Sequence, residues 1–271
     1  YDSVLTENLI SDLTSFNAAA KGVYDIFQDT YYYNSYYLVI ADLMSDNVKN
    51  NNFSVFSAID LYQTQADDRY VRSTWNKIST LIAQSSIVIR QAENFNFGAD
   101  QEAAKKLIGQ LYVARALAYF DMQRMFAQPY NFTTDASHLG IPLVDESQIG
   151  IELINSPRST TKEVFTKIVS DIEKGILLIG DDTSSVYYLN KNSAKALLAR
   201  VHLYMENWAE ANTLASEVIN AGYSLVSNAN YVASWSADSS SEAIFSIVNP
   251  ATDNSRTNSI PYYYVRPRYL P

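Results

Sequence analysis

A chain of 271 residues that is 47% apolar and 18% charged has the balance of a folded protein, long enough to bury the core of one large domain or two ordinary ones. Its 20 Lys and Arg against 29 Asp and Glu give a net charge of −9, which argues against the basic face a nucleic-acid binder needs to displace counterions from phosphates. Cysteine is absent, which excludes disulfides, thiolate catalysis and cysteine zinc sites, and no window approaches the ~20 consecutive apolar residues of a membrane-spanning helix.

The first 128 residues hold no proline and only Gly22, Gly98 and Gly109, which suits long helices; a β-sandwich would need turn residues about every 8–12 positions. Spacing predicts a first helix from about Leu5 to Phe27, with Leu9, Leu13, Phe16, Ala20, Val23 and Phe27 on one face. Tyr24, three before Phe27, is expected to be buried with them. Residues 31–62 read as non-helical chain. A second helix, from about Asp68 to Ala92, carries Val71, Trp75, Ile78, Ile82 and Ile89 in register. The clearest runs from Asp100 to Phe126 on a stripe of Ala104, Leu107, Leu111, Ala114, Ala118, Met122 and Met125, with Asp100 placed to cap its first turn. Ile141 to Val144 is extended, because the residue before Pro142 disfavours helix. Thr160 and Glu163 form a capping box that opens a helix to about Leu178, followed by a polar loop, Asp181 to Ser185.

From Ser193 to Met205 and from Trp208 to Gly222 the pattern reads as a tetratricopeptide-like helix hairpin. Its turn restarts at Asn207, Trp208 is a core residue of that turn, and Ala211 and Ala215 let the partners approach. A similar unit is expected over 68–128, the second spanning 159–222. Residues 223–271 read as loop- and strand-rich, with short strands such as Ala243–Val248. The predicted class is mainly all-α: tetratricopeptide-like helix pairs in an α-superhelix, with irregular loops and a few short strands near the C-terminus.

No catalytic constellation is found. His138 and His202 belong to no metal motif, and the glycines form neither a nucleophile elbow nor a phosphate loop. The carboxylate pairs Asp67-Asp68, Asp145-Glu146 and Asp181-Asp182 read as solvated or capping residues. No metal or other cofactor is expected. Trp75 reads as core, and Trp235 as core near a strand.

The tyrosines carry the other signal. Tyr24, Tyr31, Tyr32, Tyr33, Tyr36 and Tyr37 crowd one segment, and three consecutive rings at 31–33 cannot all point inward. A phenol presents an apolar face with a polar tip, suited to stacking on a sugar beside amides that bond its hydroxyls. Tyr31, Tyr32 and Tyr33, with Asn47, Asn50, Asn51, Asn52, Phe53, Phe56 and Tyr62, form the first candidate ligand locus. Its structural alternative is a plain turn at 50–52 that Phe53, Phe56 and Tyr62 anchor. Tyr262, Tyr263 and Tyr264 with Arg266 form a second locus.

Taken in order, Gly22-Val-Tyr-Asp25, Ala41-Asp-Leu-Met-Ser-Asp-Asn-Val48, Ala114–Met122, Gly140–Val144, Arg158–Phe165 and Ser193–Val201 resemble the SusD/RagB family. The resemblance implies a lipoprotein on the outer face of a Gram-negative outer membrane. Such a protein captures glycans for a TonB-dependent, SusC-like transporter and touches the membrane only through an N-terminal lipid anchor. It also implies a lipid-bearing cysteine ahead of Tyr1 and a further C-terminal part beyond Pro271, the whole stretch 1–271 forming one helical domain. A non-catalytic glycan-binding protein and a tetratricopeptide-type scaffold that grips a peptide both remain open; a hydrolase built on an acidic pair is the distant third.

Overall fold

The computed structural model describes residues 9–50, 55–144, 156–237, 240–249 and 259–264. They are mainly helical: α1 (Leu13–Phe27), α2 (Tyr36–Met44), α3 (Ser57–Asp60), α4 (Arg69–Glu93), α5 (Gln101–Phe126), α6 (Thr161–Ile179), α7 (Lys191–Tyr204), α8 (Trp208–Ile219), α9 (Tyr231–Ser234) and α10 (Ile260–Tyr264). The strands among them are β1 (Leu139–Pro142) and β2 (Arg158–Thr160), an antiparallel pair. The fold class is the expected one. The strands lie mid-chain, however, and the described residues from 243 to 248 form none. The contacts divide the chain into two compact units, Tyr1–Lys21 with Ile82–Ser246, and Gly22–Leu81 with Ile247–Pro271.

The first unit is built around α5. Every residue from Leu111 to Gln123 is buried, so this part of the helix has no solvent face where the predicted stripe implied one. All-round burial forces its polar side chains to find partners inside. The Arg115 guanidinium, itself 0% exposed, donates to Asp171 on α6 from Nε at 2.8 Å and from Nη2 at 2.9 Å, and to Ser86 on α4 from Nη1 at 2.9 Å. Lys167 approaches the same carboxylate at 3.2 Å. One turn before Arg115, Tyr112 donates its hydroxyl to Glu93 at 2.9 Å and receives Lys174 at 2.6 Å. Burial pushes that phenol up to about 12.

Helices α5 and α6 meet where both carry glycine. A Cβ on Gly109 would lie 2.8 Å from the Gly175 carbonyl, and one on Gly175 would lie 2.5 Å from Val113 Cγ2. The backbones therefore touch, a reason for two glycines inside helices that periodicity alone does not supply.

The capping box at the start of α6 forms as predicted: the Glu163 amide donates to Thr160 Oγ1 at 3.2 Å, and Glu163 Oε2 accepts the Thr160 amide at 2.8 Å. Thr160→Ala is expected to cost about 1 kcal/mol, read as a lower urea midpoint at unchanged slope. Thr160→Ser, which keeps the hydroxyl, should retain most of the stability.

Other starts differ from expectation. Helix α1 begins at Leu13 and not near Leu5, because Asp12 accepts the Ser15 amide at 2.7 Å and Ser15 Oγ accepts the Ser11 amide at 2.9 Å, closing a cap there. Leu9 is exposed, and Tyr24 is only half-buried. Asp100 makes no side-chain cap, since a 3-10 turn over Gly98–Asp100 runs directly into α5. Asn190 opens α7 by accepting the Asn192 and Ser193 amides at 2.9 Å each.

Helices α7 and α8 pack as the expected hairpin, and Ala211 is buried in it. Ala215 is exposed, against expectation, and Trp208 is 61% exposed and no core residue. The cause is that α8 buries only Ala211 and Val218, leaving the rest of its surface outward. Trp235 is likewise exposed, and Trp75 half-buried.

In the second unit the tyrosine-rich segment is mostly core. Tyr32 is 0% exposed, with ring centroids 5.6 Å from Phe27 and 4.6 Å from Tyr33. Contrary to the expectation for 31–62, Tyr36, Tyr37, Val39, Ile40 and Leu43 recur at helical spacing and form the buried face of α2, and α3 follows. Tyr36, Phe56, Tyr70 and Tyr263 then gather into an aromatic cluster; the Phe56 and Tyr70 ring centroids lie 4.4 Å apart.

Candidate functional site

The second unit sets exposed aromatic rings on an ordered backbone. Non-glycine residues with positive φ are uncommon, and for bulky side chains they mark strain that the surroundings must hold. Three of the five among the described residues fall between 46 and 62: Asp46 (φ 57°), Phe56 (φ 59°) and Tyr62 (φ 55°). Phe56 is locked in the aromatic cluster. Tyr62 does the opposite, standing 59% exposed beside exposed Met44 and Leu61.

Its hydroxyl is tied down. Tyr62 donates to Asp46 Oδ1 at 2.9 Å, with the Met44 carbonyl at 3.3 Å. The hydrogen bond to Asp46, with the nearby charges of Asp46 and Asp60, holds the phenol above its usual range. A ring with its edge anchored and its face open needs little ordering when a flat ligand stacks on it.

One turn earlier, on α2, the same device recurs. Tyr264, also exposed, donates its hydroxyl to Asp42 Oδ2 at 2.6 Å. Tyr263 beside it is half-buried, its hydroxyl 3.3 Å from that of Tyr36, and burial raises its pKa. The two loci read separately from sequence, 31–62 and 262–264, thus meet at the C-terminal end of α2 through Asp42 and Asp46. Neither aspartate stood out in the sequence. Their spacing of four, across the end of α2, was the available signal.

The remaining predicted residues divide. Tyr31 is exposed, its ring edge-on to Tyr36 at 5.1 Å. Tyr32, fully buried, presents no face to a ligand, and Tyr33 is half-buried against it. Asn50 closes a loop, its backbone amide donating to Asp60 Oδ1 at 3.1 Å and its side-chain amide to the Val55 carbonyl. For Asn50 the geometry is that of the plain-turn alternative. Asn47 reaches Asp42 at 3.5 Å. Asn51, Asn52, Phe53 and Arg266 lie outside the described residues.

The first unit carries a groove of about 800 Å³ lined by Glu102, Lys105, Lys106, Asp181 and Asp182 among others. Its cations are already paired, Lys105 with Glu102 at 2.7 Å and Lys106 with Asp182 at 3.5 Å, so it offers no unbalanced charge to a ligand. Of the adjacent carboxylates, Asp68 caps α4 by accepting the Tyr70 and Val71 amides at 2.9 and 3.1 Å, and Asp182 accepts the Ser184 amide at 3.0 Å. Asp145 and Glu146 lie outside the described residues. His138 contacts Thr133 at 2.9 Å and His202 contacts Asn207 at 3.2 Å.

Comparison with known proteins finds relatives of the chain. Residues 2–203 match the SusD-like family profile described as starch-binding associating with outer membrane. SusD-like protein P38 of Formosa agariphila is 26% identical over 214 residues, which is 76% of this chain and 38% of that protein. A SusD superfamily protein of Bacteroides thetaiotaomicron superposes with a TM-score of 0.81 at 25% identity, over 90% of this chain and 54% of that one. Another, from Bacteroides vulgatus, gives 0.82 at 24% identity, over 92% of this chain and 57% of that one, a likeness of fold alone. The chain spans little more than half of these solved relatives and 38% of the curated one.

Proposed function

Since the chain belongs to the SusD-like family of starch-binding, outer-membrane-associated proteins, we propose that it captures glycans at the exposed phenols of its second unit without transforming them. The observation that carries this reading is Tyr62: an exposed ring held by positive-φ backbone and by Asp46. Tyr264 on Asp42 and the open face of Tyr31 extend the surface. Pyranose C–H groups stack on such faces, while neighbouring carboxylates accept hydrogen bonds from sugar hydroxyls. Family membership supports a further step: the glycan is handed to a TonB-dependent, SusC-like transporter by a protein tethered at the cell surface through an N-terminal lipid anchor.

Affinity electrophoresis of the 271-residue chain through gels containing neutral polysaccharides, starch among them, tests the site. Tyr62→Ala is expected to weaken retention about 10-fold, the upper range for one aromatic contact, with the circular-dichroism spectrum unchanged. Tyr264→Ala should weaken it less. Parental retention by both variants would place the ligand elsewhere.

A further inference from the structure

We infer that this site takes neutral glycans and turns away those bearing carboxylate or sulfate groups, an inference that rests on the glycan reading above. Two exposed phenols of the site are fixed by carboxylates, Tyr62 by Asp46 and Tyr264 by Asp42. Asp60 is a third, accepting the Asn50 amide and lying near enough for its charge to act on the Tyr62 hydroxyl.

Among the described residues no cation compensates these three carboxylates: none of them forms an ion pair, whereas Asp29 in the same unit is paired with Lys77 at 2.7 Å. The nearest cations in sequence are Lys49, which is exposed, and Arg69, whose guanidinium lies 4.6 Å over the Tyr70 ring. The chain as a whole carries −9, so the long-range field has the same sign.

The chemistry of the acceptors points the same way. Ionised carboxylates accept hydrogen bonds and donate none, so they complement sugar hydroxyls. A uronate or sulfate group would set acceptor against acceptor and charge against like charge at short range, where water reduces the repulsion without removing it. Repulsion between exposed charges also fades with salt.

The test uses the 271-residue chain in EDTA and a panel of neutral polysaccharides, with naturally anionic ones beside them. The neutral polymer bound most tightly is then oxidised at its primary hydroxyls, which puts carboxylates on the same backbone. The oxidised polymer is expected to bind about 10-fold more weakly at low salt, the gap narrowing at 0.5 M NaCl or so. Asp60→Asn, read as the ratio of the two affinities, should narrow it as well. Equal or tighter binding of the oxidised polymer, or binding only to the anionic members of the panel, overturns the inference and leaves the glycan reading standing. A ratio that neither salt nor Asp60→Asn moves also overturns it. Binding to nothing in the panel sinks the glycan reading itself.

Discussion

Arg115→Met is expected to cost about 3–5 kcal/mol of stability, a large part of the ~5–15 kcal/mol that holds a domain together. Arg115 is fully buried on α5 and donates to Asp171 on α6 and Ser86 on α4. Removing it leaves the Asp171 carboxylate, 3% exposed, with Lys167 at 3.2 Å as its one ion-pair partner among the described residues. The penalty is that of an uncompensated buried charge, not the worth of the pair. The double variant Arg115→Met with Asp171→Leu should therefore recover most of the loss, because paired buried charges often do no better than apolar side chains of similar volume. Urea denaturation of the two variants decides it. A single variant that loses less than about 1 kcal/mol, the usual worth of a surface pair, would show that the network is not buried as described.

Gly175→Ala is the second large effect. Alanine normally improves a helix interior by about 1 kcal/mol over glycine. Here its methyl would sit 2.5 Å from Val113 Cγ2 and 2.8 Å from the Gly109 carbonyl, the latter backbone that cannot rotate away. Helices α5 and α6 must separate, and overpacking of that kind costs about 1–3 kcal/mol. Gly22→Ala supplies the contrast. Gly22 lies inside α1 with nothing within 4 Å of a built Cβ, so that variant should gain about 0.5–1 kcal/mol. Thermal melts that move in opposite directions are the expected result. If both glycine variants stabilise, the close approach of the two helices is wrong.

The long helices were legible because their signals are local. A proline-free run with apolar residues at helical spacing is visible in α4 and α5, and Thr160 with Glu163 announces the start of α6. What depended on neighbours was not legible. Trp208 reads as core because a large apolar ring favours burial, yet α8 covers only one side of itself. The burial of Arg115 cannot be read from α5, since it requires Asp171 to arrive from a different helix. Helix α2 was missed because the whole stretch 31–62 read as non-helical chain, although Tyr36 and Tyr37 share a helical period with Val39, Ile40 and Leu43. In the site, the residue types were visible at Tyr31, Tyr62 and Tyr262 to Tyr264. Which rings face outward was not, because it depends on partners from distant segments: Phe56 is buried against Tyr70 and Tyr263, while Tyr62 stays exposed.

A glycan stacked on Tyr62 and Tyr264 would report itself directly in their ring resonances. In the chain with its 21 tyrosines isotopically labelled, and with Tyr62, Tyr264, Tyr112 and Tyr119 assigned by Tyr→Phe substitution, titration with the neutral glycan of highest affinity should shift the Tyr62 and Tyr264 rings. Buried Tyr119, and Tyr112 between Glu93 and Lys174, should stay in place. Saturable binding that leaves both Tyr62 and Tyr264 unmoved would show that the glycan sits elsewhere.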